Sequence, residues 1–152
     1  MNSLEGCVLS VPGYEFLPHT TDAYIQASGP TLEKAFEYAA LALFDTMCNV
    51  ESISAKITET VEVDGEDEVI LLNSWLELLL LKFELERKVF SKFTVQPIQR
   101  NAGGFHLSAR ISGETYDGKK HGAKVEVKAI TFHKMEIERK GTTTTLRFIV
   151  DL

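Results

Sequence analysis

The chain has 152 residues, of which 44% are hydrophobic and 25% charged, a composition typical of one globular domain and not of a disordered or fibrous protein. Its formal net charge of −6 argues against a protein held on nucleic acid by general electrostatic attraction, because phosphates repel an acidic surface. Cys7 and Cys48 are too few for a disulfide framework or a cysteine-based zinc site. The sequence shows no signal-peptide pattern and no uninterrupted apolar run of membrane-spanning length, so we expect a soluble cytoplasmic protein without membrane contact.

Two short strands and a helix are predicted in the first third of the chain. Residues 14–17 and 23–27 are typical of strands separated by a polar turn. Apolar residues then recur at i, i+3, i+4 and i+7, which predicts a helix with one apolar face over four turns. This helix extends from about residue 31 to residue 48, and the hydroxyl of Thr31 is its predicted N-cap.

An alternating segment and a second helix follow. From residue 52 to residue 63 the apolar residues occupy odd positions, with Glu59 as the polar exception, which predicts a half-buried antiparallel strand. The acidic turn 64–68 suits the N-terminus of a helix, where the dipole favours negative charge. Leu71, Leu78 and Leu81 widen the apolar stripe of that helix, so we expect more than one of its sides to be covered.

The remainder of the chain is rich in strands. The predicted strands are 93–98, 105–112, 125–132, 135–138 and 143–151, with a hairpin-type connection at 101–104. Two main helices among about seven strands, without strict alternation, predict a single-domain α+β fold with a mixed or antiparallel sheet.

Motifs of common enzyme classes are missing from the sequence. We find no P-loop, no dinucleotide-binding glycine loop, no G-x-S-x-G, no H-E-x-x-H and no EF-hand loop. Four histidines and two separate cysteines offer little basis for a nucleophilic triad. The residues by themselves therefore give weak support to an enzyme.

Three acidic groups lie at predicted strand ends. Asp22 closes the turn before the second strand, Asp151 ends the last strand, and Leu152 carries the α-carboxylate. Carboxylate oxygens are the ligands that Ca²⁺, Mg²⁺ and Mn²⁺ prefer, but they form a site only if the fold brings them together. The alternative is that Asp22 is an ordinary turn residue and Asp151 a solvated one.

Several basic residues have two possible roles. Lys128 lies on the polar side of segment 125–132, where it is either a solvated lysine or a cation that meets a phosphate or a partner carboxylate. His19 and His133 flank these candidate positions, although a neutral hydrogen-bonded histidine is the usual state. A basic run, which is either a solvated loop or a binding site, consists of Lys119, Lys120, His121 and Lys124.

Four segments of the chain resemble the archease family. Residues 14–22 (YEFLPHTTD) are similar to the family's Y-E-x-L-x-H-T-A-D start, and residues 31–44 are similar to its first helix. Residues 127–133 (VKAITFH) resemble its V-K-A-[VI]-T-[YF]-H strand, and residues 148–152 (FIVDL) resemble its C-terminal strand. The agreement in order and spacing implies an archease domain over residues 14–152, preceded by an N-terminal extension over residues 1–13.

This resemblance implies a function. Archeases are partners of the RNA ligase RtcB in tRNA splicing and RNA repair, where they promote GTP-dependent guanylylation and multiple turnover of the ligase without catalysing ligation, so RNA is met through the ligase. By resemblance, the family's divalent-metal site, for which Ca²⁺ is expected, corresponds to Asp22, Asp151 and Leu152. The family's essential lysine corresponds to Lys128.

Two other functions compete with this one. The chain is alternatively a metal-dependent phosphoester hydrolase, for which His19 or His133 would serve as general base. It is alternatively a calcium-stabilised binding module whose ion is purely structural. The resemblance favours the ligase partner over both.

Overall fold

The computed structural model of the chain describes residues 12–18 and 22–152. Its strands are β1 (Gly13–Leu17), β2 (Ala23–Gly29), β3 (Ile57–Gly65), β4 (Lys88–Val95), β5 (Gln99–Asn101), β6 (Gly104–Thr115), β7 (Ala129–Lys140) and β8 (Thr143–Asp151). Its helices are α1 (Leu32–Met47), α2 (Glu68–Glu86) and the short α3 (Gly118–His121), with a turn of 3-10 helix at Val50–Ser52. Within the described ranges, no helix is both long enough and apolar enough to cross a membrane.

The strands form two antiparallel sheets. Sheet I has the order β1-β2-β8-β7, and sheet II has the order β3-β6-β4 with β5 paired to β6. The predicted α+β class, with antiparallel pairing and two main helices, is confirmed. The division of the strands into two sheets is a feature that the alternation of apolar residues did not reveal.

The two long helices lie between the sheets. Helix α1 contacts β1, β2 and β8 of sheet I and β4 of sheet II, whereas α2 contacts β7 of sheet I and β3, β4 and β6 of sheet II. Among the described strands, none of sheet I contacts one of sheet II. Both helices therefore bury apolar residues on two sides, which confirms that more than one side of α2 is covered. Of the three leucines that widen its stripe, Leu71 is buried and Leu81 is exposed.

Local side-chain hydrogen bonds fix where the helices begin and how they pack. The Thr31 hydroxyl accepts from the backbone N–H of Lys34 at 3.1 Å, so the predicted N-cap of α1 is confirmed. The Asp67 carboxylate caps α2 in the same way. At the contact between the helices, the buried Trp75 Nε1–H donates to the carbonyl of Phe36 at 3.0 Å.

The prediction of a strand at 52–63 is wrong about where the strand starts. Its alternation of apolar and polar residues is confirmed. Strand β3 begins at Ile57, and residues 53–56 have no regular structure. The polar exception within it is explained by two ion pairs, because the Glu59 carboxylate lies 2.7 Å from Lys82 Nζ and 2.6 Å from Lys88 Nζ.

The predicted strands at 125–132 and 135–138 are wrong in their bounds. Residues 122–128 have no regular structure, because the Lys124 N–H donates to the Met47 carbonyl at the end of α1 instead of to a strand. The two predicted strands are one strand, β7, interrupted by a bulge. Thr131 pairs with Ile149 and Glu136 with Arg147, so β7 advances five residues while β8 advances two.

A histidine lies between two carboxylates on sheet II. His106 Nδ1 lies 2.7 Å from Asp64 Oδ1, and His106 Nε2 lies 2.8 Å from Glu62 Oε1. The hydrogen bond to Asp64 and then that to Glu62 raise the pKa of His106 above its ordinary value. These contacts therefore stabilise the fold fully below the pKa of histidine in the unfolded chain, and the stabilisation is lost as the pH rises through the higher pKa of the folded state.

We predict that His106→Gln flattens the dependence of the unfolding free energy on pH above about pH 6.5, the ordinary pKa of histidine. Urea unfolding across this range measures the slope. A double variant, Glu62→Gln with Asp64→Asn, should flatten it equally, because it keeps the histidine and removes its partners. An unchanged slope in both variants would contradict the assignment.

Candidate metal-binding edge of sheet I

Three strand ends meet at one edge of sheet I. Ala23, the first residue of β2, pairs with Val150 of β8, and Asp151 of β8 pairs with Ala129, the first residue of β7. Asp22 directly precedes Ala23, so the antiparallel register carries it to the position opposite Asp151. We call this region, comprising Asp22, Asp151, Leu152 and Lys128, the strand-end edge.

Lys128 is tied to this edge through its main chain. Its N–H donates to the Asp151 carbonyl at 2.7 Å, directly before the first pair of β7 and β8, Ala129 with Asp151. The side chain of Lys128 is exposed. The fold thus brings Lys128 beside Asp151, although 22 residues of sequence separate them, since β7 and β8 are neighbours.

The faces of sheet I decide where the two carboxylates point. Val150 is fully buried and belongs to the core, so its side chain faces the helices. Successive residues of a strand point to opposite faces, and paired residues of neighbouring strands point to the same face. Asp151, which is exposed, and Asp22, which is half-buried, therefore share the face that points away from the helices.

These two carboxylates fit a hard divalent cation. Within residues 12–18 and 22–152, neither Asp22 nor Asp151 forms a side-chain hydrogen bond or an ion pair. The same ranges hold no group of three or more His, Cys, Asp or Glu side chains that would bind a metal by themselves. A complete site thus needs oxygens beyond the two side chains, and Leu152, which follows β8 directly, brings main-chain oxygens to the same edge.

The structure treats the two candidate histidines differently. His19 lies outside the described residues. His133 is exposed on the bulge of β7, where its N–H donates to the Thr131 hydroxyl at 3.1 Å. A role for either histidine in activation stays a prediction.

The basic run is largely neutralised by acidic partners that sequence reasoning missed. The Glu114 carboxylate lies 2.8 Å from Lys120 Nζ and 2.7 Å from His121 Nε2, and Asp45 lies 2.9 Å from Lys124 Nζ. The basic run had two possible roles, a binding site or a solvated loop. Neither role describes His121, because its side chain is buried. Asp45 lies far from Lys124 in the sequence, whereas Glu114 lies within seven residues of Lys120 and His121, and residue type alone did not indicate that these side chains meet.

The comparisons with known proteins identify the family. The model of the archease protein family matches residues 14–152. The chain belongs to the archease family. Protein archease of Pyrococcus furiosus is 47% identical over 126 residues, which cover 83% of this chain and 88% of that archease.

Solved structures agree with this archease assignment. The solution structure of Methanobacterium thermoautotrophicum protein 1598 has a TM-score of 0.81 at 41% identity. The match covers 92% of this chain and 99% of protein 1598. The crystal structure of an archease from Thermotoga maritima, described as a possible chaperone, has a TM-score of 0.61 at 18% identity. The match covers 91% of this chain and 96% of the Thermotoga maritima chain. The second likeness shows the archease fold alone.

The archease motifs converge in space. Residues 14–22 lead through β1 to the start of β2, residues 127–133 enter β7, and residues 148–152 end β8. Three motifs that are distant in sequence therefore supply the residues of the strand-end edge.

We predict that Lys128→Ala leaves the unfolding free energy unchanged within about 0.5 kcal/mol, because the side chain is exposed and the substitution keeps the backbone hydrogen bond to Asp151. Urea unfolding measures the change. As a control, Lys82→Ala should lower stability, since its ammonium group contacts both Glu59 and Glu86. A large loss in Lys128→Ala would assign that side chain a structural role.

Proposed function

We propose that this archease is a non-catalytic protein partner of the RNA ligase RtcB in tRNA splicing and RNA repair in the cytoplasm. In this role it promotes GTP-dependent guanylylation of the ligase and its repeated turnover. The observation that carries the proposal is the convergence of three archease motifs on the strand-end edge, where two carboxylates and a lysine lie together.

Within this proposal, Asp22 and Asp151 hold a divalent cation, for which we propose Ca²⁺, together with main-chain oxygens of Leu152. A bound cation of this kind supplies concentrated positive charge that oxygen ligands and phosphate groups share. The support is chemical: two carboxylates on one face lack a cationic partner among the described residues, and like charges placed together favour a bound cation.

Lys128 contributes a separate cation to the same edge. Its exposed ammonium group is free to meet a phosphate or a carboxylate of the partner, and its main chain is held by Asp151. Nucleotidyl transfer depends mainly on the placement of charged groups around the phosphates. An edge that presents fixed charges to the ligase is therefore suited to align its GTP. The net charge of −6 favours contact with the ligase rather than with RNA.

We predict that Asp151→Asn abolishes most of the stimulation of multiple-turnover ligation by the purified ligase, because the amide keeps the size of the side chain and removes its charge. The expected fall in stimulation is on the order of 10–100-fold or more, because losing even a residue that only hydrogen-bonds a metal ligand has an effect of this size. The matched control is Glu77→Gln, an exposed carboxylate of α2. Full stimulation by a folded Asp151→Asn variant would overturn the proposal.

We further predict that Ca²⁺ raises the melting temperature of the unmodified chain and leaves that of Asp22→Asn unchanged. At a concentration 100-fold above Kd, a ligand of the folded state adds about 2.7 kcal/mol. The test compares Ca²⁺, Mg²⁺ and Mn²⁺ by thermal unfolding. No shift with any of the three would contradict the metal site. A shift accompanied by full ligase stimulation in Asp22→Asn would favour a purely structural ion.

A further inference from the structure

The path of residues 122–128 is fixed by contacts outside the sheets. This segment joins α3 to β7, has no helix or strand, and ends at Lys128. A segment without its own ladder of hydrogen bonds is placed by its anchoring contacts. One group of these contacts lies directly before its start, around a buried carboxylate.

Glu114 is the centre of this anchor. It lies near the end of β6 and is 7% exposed. One carboxylate oxygen, Oε2, accepts from the Ser54 N–H at 2.9 Å and lies 2.7 Å from His121 Nε2 and 2.8 Å from Lys120 Nζ. We call Glu114, Ser54, Lys120 and His121 the Glu114 cluster.

The cluster determines the state of the His121 ring. The backbone N–H of Asp117 donates to His121 Nδ1 at 2.9 Å, so that nitrogen is unprotonated. The proton lies on Nε2, which donates to Glu114. Both ring nitrogens are thus engaged, and the fully buried ring also stacks on Tyr116 with 5.8 Å between centroids.

The charge of Glu114 is held by its neighbours. Lys120, then the Ser54 N–H, then His121 keep the pKa of this carboxyl far below its usual range. The carboxylate therefore remains ionised, and it accepts charge-assisted hydrogen bonds, which are stronger than neutral ones.

The anchor continues along the segment to the strand-end edge. The His121 carbonyl accepts from the Asn49 N–H at 2.9 Å, and the Lys124 N–H donates to the Met47 carbonyl at 2.9 Å. At the far end, the Lys128 N–H bonds to Asp151 at 2.7 Å. A chain of contacts thus connects the Glu114 cluster, the end of α1 and Lys128.

We propose that Glu114 and His121 are positioning residues for Lys128. They fasten the start of residues 122–128 to β6 and α1, so that the segment delivers Lys128 to the edge in one geometry. This inference rests on the proposed function, because it concerns the lysine that we assign to ligase activation. Loss of the Glu114 carboxylate would leave the His121 Nε2–H buried without this acceptor, which favours movement of the ring and of the segment behind it.

The experiment compares Glu114→Ala with Glu59→Ala, a carboxylate of sheet II whose ion-pair partners, Lys82 and Lys88, lie outside the 116–128 region. Hydrogen exchange of the Lys124 and Lys128 amides is measured under native conditions, together with stimulation of the ligase. We expect Glu114→Ala to speed exchange at both amides by about tenfold or more and to lower stimulation. Glu59→Ala should change neither the exchange of the two amides nor the stimulation of the ligase. The two variants are compared under conditions that give them the same global unfolding free energy.

A conservative variant separates positioning from simple loss of stability. Glu114→Gln keeps an acceptor for the His121 ring and should restore part of the slow exchange and part of the stimulation; it also serves if Glu114→Ala does not fold. The inference would be overturned if the Lys124 and Lys128 amides exchanged at an unchanged rate in the folded Glu114 variants. It would also be overturned if these amides exchanged faster while the ligase was still stimulated fully.

Lys128→Ala distinguishes the two proposals. If Lys128→Ala stimulates the ligase fully, its assigned role in the proposed function fails, and with it the inference. If Lys128→Ala loses stimulation while both Glu114 variants keep it, the positioning inference alone fails.

Discussion

The pairing of β8 with β2 on one side and with β7 on the other is the constraint on which the candidate site depends. Burial of Val150 against the helices sets the face of β8 that is turned inward. A slip of one residue would turn Val150 to solvent and Asp151 towards the helices. Burial of the core and exposure of the acidic edge are therefore two results of one register.

The layered arrangement explains why the edge is open to a partner. Both long helices lie between the sheets and cover one face of each, and contacts between sheets are absent among the described strands. The other face of sheet I carries polar side chains: Arg147 of β8 bonds Gln26 of β2 and lies 3.2 Å from Glu136 of β7, with the buried Ile149 between Arg147 and Asp151 along β8. The strand-end edge continues this polar face, so its carboxylates are reached from solvent without opening the core.

The region before Lys128 is held by contacts of a different kind. Strands supply the register of Asp22 and Asp151, whereas the hydrogen bonds around Glu114 and those at the end of α1 hold residues 122–128. A group carried by such a segment responds to changes in remote anchors, and Glu114 and His121 are two buried ones. This arrangement connects a polar cluster at the end of β6 with the lysine of the edge.

The sequence by itself determined the helices, the α+β class, the Thr31 cap and, through four motifs, the family, because these depend on short-range periodicity and local residue order. It marked Asp22, Asp151 and Lys128 as candidates. Only the tertiary structure decided that they share one edge, that the strands form two sheets, and that Glu114 anchors His121 and Lys120. The reason is that strand register joins residues distant in sequence, and even the short separation of Glu114 and His121 does not encode that their side chains meet.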